Sequence, residues 1–137
     1  MASRRILVDT VELYNYIGEV DDVATYQKSI IRNCYCEVKV GVRRSKDSSR
    51  TPQDKARLYV FDRGSQVLSP SGEKRSYLPL DQFMELKANE KSSYWTLCDE
   101  GSDYILKDGY QHKFKITGFS HLKNGSPRMW HYEVDAQ

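Results

Sequence analysis

The stretch Ala24-Thr25-Tyr26-Gln27-Lys28-Ser29-Ile30-Ile31-Arg32-Asn33-Cys34-Tyr35-Cys36-Glu37-Val38-Lys39-Val40-Gly41-Val42 repeats with a period of two. Tyr26, Lys28, Ile30 and Arg32 share a parity with Cys34, Cys36, Val38, Val40 and Val42. Successive side chains of a β-strand point to opposite faces, so this is strand sequence. Its 19 residues would make one strand about three times the usual length. A bend or bulge near Arg32-Asn33 is therefore expected to divide it. The second part, Cys34 to Val42, then reads as a strand with an apolar inner face and a polar outer one.

The same period extends both ways along the chain. Upstream, Thr10 to Tyr16 sets Val11 and Leu13 on one face and Thr10, Glu12 and Tyr14 on the other, before a turn at Gly18 to Asp22. Downstream, Arg43 to Lys55 has no apolar residue except Pro52 and carries five basic residues against two acidic ones. It reads as an exposed, mobile hairpin loop, from which Ala56 to Phe61 returns as a strand. Asp62 to Ser76 is a turn-rich connection with Ser69-Pro70-Ser71-Gly72 at its tip. One short helix is expected at about residues 79–88, where Leu80, Phe83, Met84 and Leu86 show helical spacing behind Pro79. Short strands follow at Tyr94 to Leu97, Tyr104 to Lys107, Lys113 to Phe119 and Trp130 to Val134. In the third of these, Phe114, Ile116 and Gly118 lie on the inward side. Asp108-Gly109 and Asn124-Gly125 are dipeptides that favour type I′ hairpin turns. The expectation is a mainly β chain: a single domain over 1–137, a small β-barrel of about six to eight strands with one short helix and long polar loops.

Composition narrows the function classes. With 21 Lys+Arg against 19 Asp+Glu, the net charge of +2 does not make the whole chain a nucleic-acid or membrane binder. Aromatic residues at 12% are too many for a solvated coil. No apolar run approaches the ~20 residues of a membrane helix. Ile6-Leu7-Val8 stops at Asp9, too soon for a secretory signal, so synthesis and folding in the cytoplasm are expected. Three cysteines do not make a disulfide framework.

No motif calls for catalysis. A nucleophile elbow, a zinc-protease helix and a phosphate-binding glycine loop are all missing. Cys34 and Cys36 continue the parity of Val38, Val40 and Val42 and read as core. His112, His121 and His131 lack metal-ligand spacing, so neither metal nor cofactor is expected. Asp21-Asp22 and Asp99-Glu100-Asp103 fall at turns, where short carboxylates bond locally to the backbone. One binding class fits the element order: an OB-like fold that stacks single-stranded bases on tyrosines. Tyr26, Tyr35 and Tyr59 would supply the stacking, interleaved with Lys28, Lys39 and Arg57.

A more specific signal runs along most of the chain. It comprises Val11-Glu12-Leu13-Tyr14-Asn15, Thr25 to Ile31, Asn33 to Cys36, Leu58 to Phe61, Tyr77 to Phe83, Tyr94 to Leu97 and Gly101 to Lys107. This order resembles small head-completion, stopper or minor capsid proteins from the head-and-neck gene clusters of tailed bacteriophages of Gram-positive hosts. The resemblance implies a non-enzymatic virion protein made in the host cytoplasm. It implies a homo-oligomeric ring in the neck, placed between portal or adaptor and tail proteins, that closes the DNA-filled head without touching a membrane. The candidate contacts with packaged DNA or a neighbouring ring are Arg43, Arg44, Lys46, Arg50 and Lys55. The alternative remains an OB-like single-stranded nucleic-acid-binding protein.

Overall fold

The structure, a computed structural model, describes residues 8–40, 42–44, 50–52 and 54–137. The first strand, β1 (Asp9–Val20), turns back into β2 (Val23–Lys39), and the two are paired antiparallel over nearly their whole length. Beyond Lys39 come two short paired strands, β3 (Val42–Arg44) and β4 (Arg50–Pro52), and then β5 (Lys55–Phe61). Strands β6 (Gln66–Leu68) and β7 (Ser76–Tyr77) precede two helices, α1 (Leu80–Glu85) and α2 (Ala88–Lys91). The chain closes with β8 (Tyr94–Trp95), β9 (Tyr104–Lys107), β10 (Phe114–Leu122) and β11 (His131–Ala136). Six strands pair in a closed ring, β1-β9-β10-β11-β5-β2 and back to β1, with β6 added to β2 on the edge away from β1. Every pairing in that ring is antiparallel. It consists of two three-stranded runs, β1-β2-β5 and β9-β10-β11, joined along both edges.

The long alternating stretch divides where its length requires. Asn33 has φ 56 and is skipped in the ladder, since Asp9 opposes Cys34 while Thr10 opposes Arg32. One unpaired residue switches the inward parity from odd to even. Ile31 is fully buried before it, and Cys34 and Cys36 after it. The inner faces meet in one core, with Val11, Leu13, Ile31, Leu58, Ile105, Phe114, Ile116 and Val134 at its centre. Each such side chain contributes about 1.5–3 kcal/mol by leaving water.

Several expectations are corrected. The helical pattern is broken in two, because Leu86 is extended (φ −72, ψ 150) and α2 restarts where the Glu90 carboxylate accepts the Lys87 N–H. Val40, expected inside, is 68% exposed, because β2 ends at Lys39 and leaves Val40 off the sheet. A second bulge, at Thr117, turns Phe119 rather than Gly118 toward the core. The type I′ geometry falls at Asp21-Asp22, both at positive φ between Val20 and Val23. At Asp108-Gly109 and Asn124-Gly125 only the glycine is left-handed. The connection Asp62 to Ser76 contains β6, although its tip turns as expected, with Gly72 N–H bonding Ser69 O at 2.9 Å.

Candidate functional site

The basic segment, in the connection between β2 and β5, pairs with itself as a separate two-stranded sheet. Lys39 faces Lys55 at the end of the β2–β5 ladder, and Val42, Arg43 and Arg44 face Pro52, Thr51 and Arg50. Arg43, Arg44 and Arg50 thus lie on a two-stranded arm separate from the closed sheet. Lys46, with the mobility expected of the tip, lies outside the described residues. Lys55 is exposed at the arm's root. It lines an open depression of about 200 Å³ with Glu37, Lys39, Ala56, Arg57 and Asp135. In that depression Arg57 Nε donates to Asp135 Oδ1 at 2.8 Å.

Two outward-facing aromatic groups flank the N- and C-terminal halves of β2. The sequence points to one of them. Tyr35 and Tyr59 are cross-strand partners with ring centroids 5.5 Å apart, and Tyr59 lies 5.9 Å from the His131 ring. The other gathers Tyr26 with Tyr14, Tyr16 and Tyr104, three residues that sequence reasoning passed over as site residues. Tyr14 and Tyr104 stack at 4.6 Å with 11° between their planes, and Tyr26 meets Tyr104 edge-on at 5.1 Å. Lys113 Nζ lies 5.1 Å from the Tyr104 centroid. Burial, together with the Glu12 carboxylate that accepts its hydroxyl, pushes the Tyr14 phenol up to about 12. The parity of Tyr14 and Tyr16 was available in the sequence; the pairing of β1 with β9 that brings in Tyr104 was not.

Inside the ring the polar groups are structural. Asp103, expected at a turn, is 2% exposed. It accepts Asn15 Nδ2 and the Tyr16 N–H, both at 2.8 Å, while Asn15 also donates to Thr96 O. Burial pushes the Cys34 thiol to about 12 and the Cys36 thiol to about 11, so neither is a ready thiolate nucleophile. His121 Nε2 lies 2.8 Å from Asp62, and its ring stacks on Tyr132 at 3.9 Å. Among the described residues no serine, threonine or cysteine side chain bonds to a histidine, and no three metal-ligating groups converge.

The surface features that stand out among the described residues are a basic arm and two aromatic faces. The OB-like reading meets a topological difference, since that fold is a five-stranded, partly open Greek key, whereas here two antiparallel runs close six strands. Comparison with protein-family models, curated proteins and solved structures finds no match.

Proposed function

We propose that this chain is a structural subunit of a tailed-phage neck, a head-completion or stopper-type protein whose copies form a ring joining the DNA-filled head to the tail. The observation that carries this reading is the arm. A connection between β2 and β5 that pairs with itself as β3 and β4, apart from the closed sheet and with Arg43, Arg44 and Arg50 on it, suits contact with a polyanion or an acidic neighbour. Contacts of this kind go to phosphates without reading sequence. The portal or adaptor and the tail proteins are the protein partners of this reading, and no catalytic residue, metal or cofactor belongs to it. The competing reading, single-strand binding on Tyr35 and Tyr59, draws on their stacking beside Arg57.

Negative-stain microscopy and sedimentation of the purified full chain distinguish the two. Closed rings of a fixed number of copies are expected, with no oligonucleotide binding that depends on Tyr35 and Tyr59. A chain that stays monomeric and binds single-stranded oligonucleotides at micromolar or tighter concentration, with binding abolished in Tyr35→Ala/Tyr59→Ala, would overturn the neck reading.

A further inference from the structure

The register of the sheet lines up two outward rows of unlike charge. The first crosses four strands. Lys115 of β10 is opposite Tyr104 of β9, Tyr104 is opposite Tyr14 of β1, and Tyr14 is opposite Lys28 of β2. The result is two stacked tyrosines with a lysine at each end. Lys28 is held by Glu12 at 3.1 Å, but Lys115 and the nearby Lys113 have no carboxylate partner among the described residues. They line a hollow of about 360 Å³ with Tyr26, Ser102 and Tyr104. The second row crosses three strands. Tyr35 of β2 is opposite Tyr59 of β5, and Tyr59 is opposite Glu133 of β11. Glu37 stands next to it on β2. Its only ion-pair partner among the described residues is Lys39, at 3.9 Å, and Lys39 is itself largely exposed.

We propose that copies of this chain bind one another head to tail, the lysine-flanked tyrosine row of one copy packing on the glutamate-flanked tyrosine row of the next. The proposal rests on the subunit-ring reading and says which surfaces build that ring. Three observations favour a second copy as the occupant. Both rows put aromatic rings in the middle and charge at the rim, the composition of a protein interface. Once the ion pairs are matched off (Lys28 with Glu12, Glu37 with Lys39, Arg57 with Asp135), the first row keeps Lys113 and Lys115 and the second keeps Glu133, which lies 3.3 Å from His131. The charges left over are unlike and favour the mixed pairing. The first row centres between β9 and β1 and the second on β5, two to three places apart around a ring of six strands, and so they face in different directions. Two unlike, complementary patches facing different ways make a heterologous contact, which closes into a ring when its rotation permits. The Asn33 bulge is what creates the second row. Without the parity switch Tyr35 would point into the core and Cys34 outward.

Head-to-tail contact has a signature that symmetric pairing lacks. Two full-length variants are prepared, Tyr14→Ser/Tyr104→Ser and Tyr35→Ser/Tyr59→Ser, and thermal melting selects preparations that remain folded. Lys115→Glu and Glu133→Lys serve as milder second variants. In sedimentation velocity each double variant alone is expected to run as a monomer, and their 1:1 mixture to stop at the dimer, with one intact contact left per pair. Lys115→Glu and Glu133→Lys should each weaken assembly, and mixing them should restore part of it. Wild-type rings that persist in both double variants would overturn this inference and leave the neck reading standing. A wild type that never assembles would overturn the neck reading itself, and this inference with it. Single-stranded oligonucleotide binding lost in Tyr14→Ser/Tyr104→Ser would assign the first row to nucleic acid instead.

Discussion

Asp103 shows how a residue's neighbours decide its role. A short carboxylate after Gly101-Ser102 looks like turn chemistry, yet it lies in the interior, accepting Asn15 and the Tyr16 backbone. Burial raises its affinity for a proton above that of an ordinary aspartate, and the hydrogen bonds from the Tyr16 backbone, the Asn15 side chain and the Cys98 backbone offset this only in part. The sign of the pH dependence follows. A group that holds its proton more tightly when folded adds stability below its ordinary pKa, and that addition is lost as pH rises through the raised folded value. The stability gap between wild type and Asp103→Asn, read from denaturant midpoints between about pH 3 and about pH 7, should narrow as pH rises. A gap that widens with pH would show that the hydrogen bonds outweigh the burial. At neutral pH, Asp103→Ala should cost about 1–3 kcal/mol, because it strands Asn15 Nδ2 and the Tyr16 N–H in the interior.

At the scale of the elements, periodicity was the legible signal. Val11, Leu13, Cys34, Cys36, Leu58, Phe114 and Ile116 are all buried on the parity their strands show. Bulges and helix breaks were harder to place. The need for a break near Asn33 followed from strand length alone, while the break at Thr117 left no mark in the alternation of a shorter strand. The helix split depends on Leu86 and Lys87 adopting extended angles that their helix propensities do not suggest. Asn33 itself offers a clean test. Its φ of 56 is left-handed, and its carbonyl accepts the Ser65 hydroxyl at 2.7 Å. Asn33→Ala should destabilise the fold by about 1 kcal/mol, because alanine keeps the Cβ but loses the short polar side chain that lets asparagine tolerate left-handed backbone, and Asn33→Gly by much less, because glycine has no Cβ to strain there. Equal losses in the two variants, measured by chemical denaturation, would place the cost elsewhere than in the backbone angle.

At the scale of the whole molecule, what the sequence could not convey was which strands meet. The closure of β1 on β9 and of β5 on β11 joins segments far apart in the chain, and local pattern carries no record of such pairings. Tyr104 and Glu133 join the two aromatic rows only through that closure, whereas the basic arm could be recognised from its composition alone. The arm is also where the proposed neck function can be tested most directly. In a ring of copies each arm repeats about the axis, so Arg43, Arg44, Lys46 and Arg50 recur once per subunit and their contacts with a central DNA duplex add up. Replacing all four by Ser should leave the melting temperature nearly unchanged, because among the described residues β3 and β4 pair only with each other, in a sheet separate from the closed one. Binding of the rings to linear double-stranded DNA, followed from about 50 to about 200 mM salt, should weaken in the variant. The slope of log affinity against log salt should become shallower by about 0.9 for each phosphate contact removed. An unchanged slope with unchanged affinity would mean that the arm does not touch DNA. Loss of docking to the adaptor in that same variant would then assign the arm to an acidic neighbouring ring.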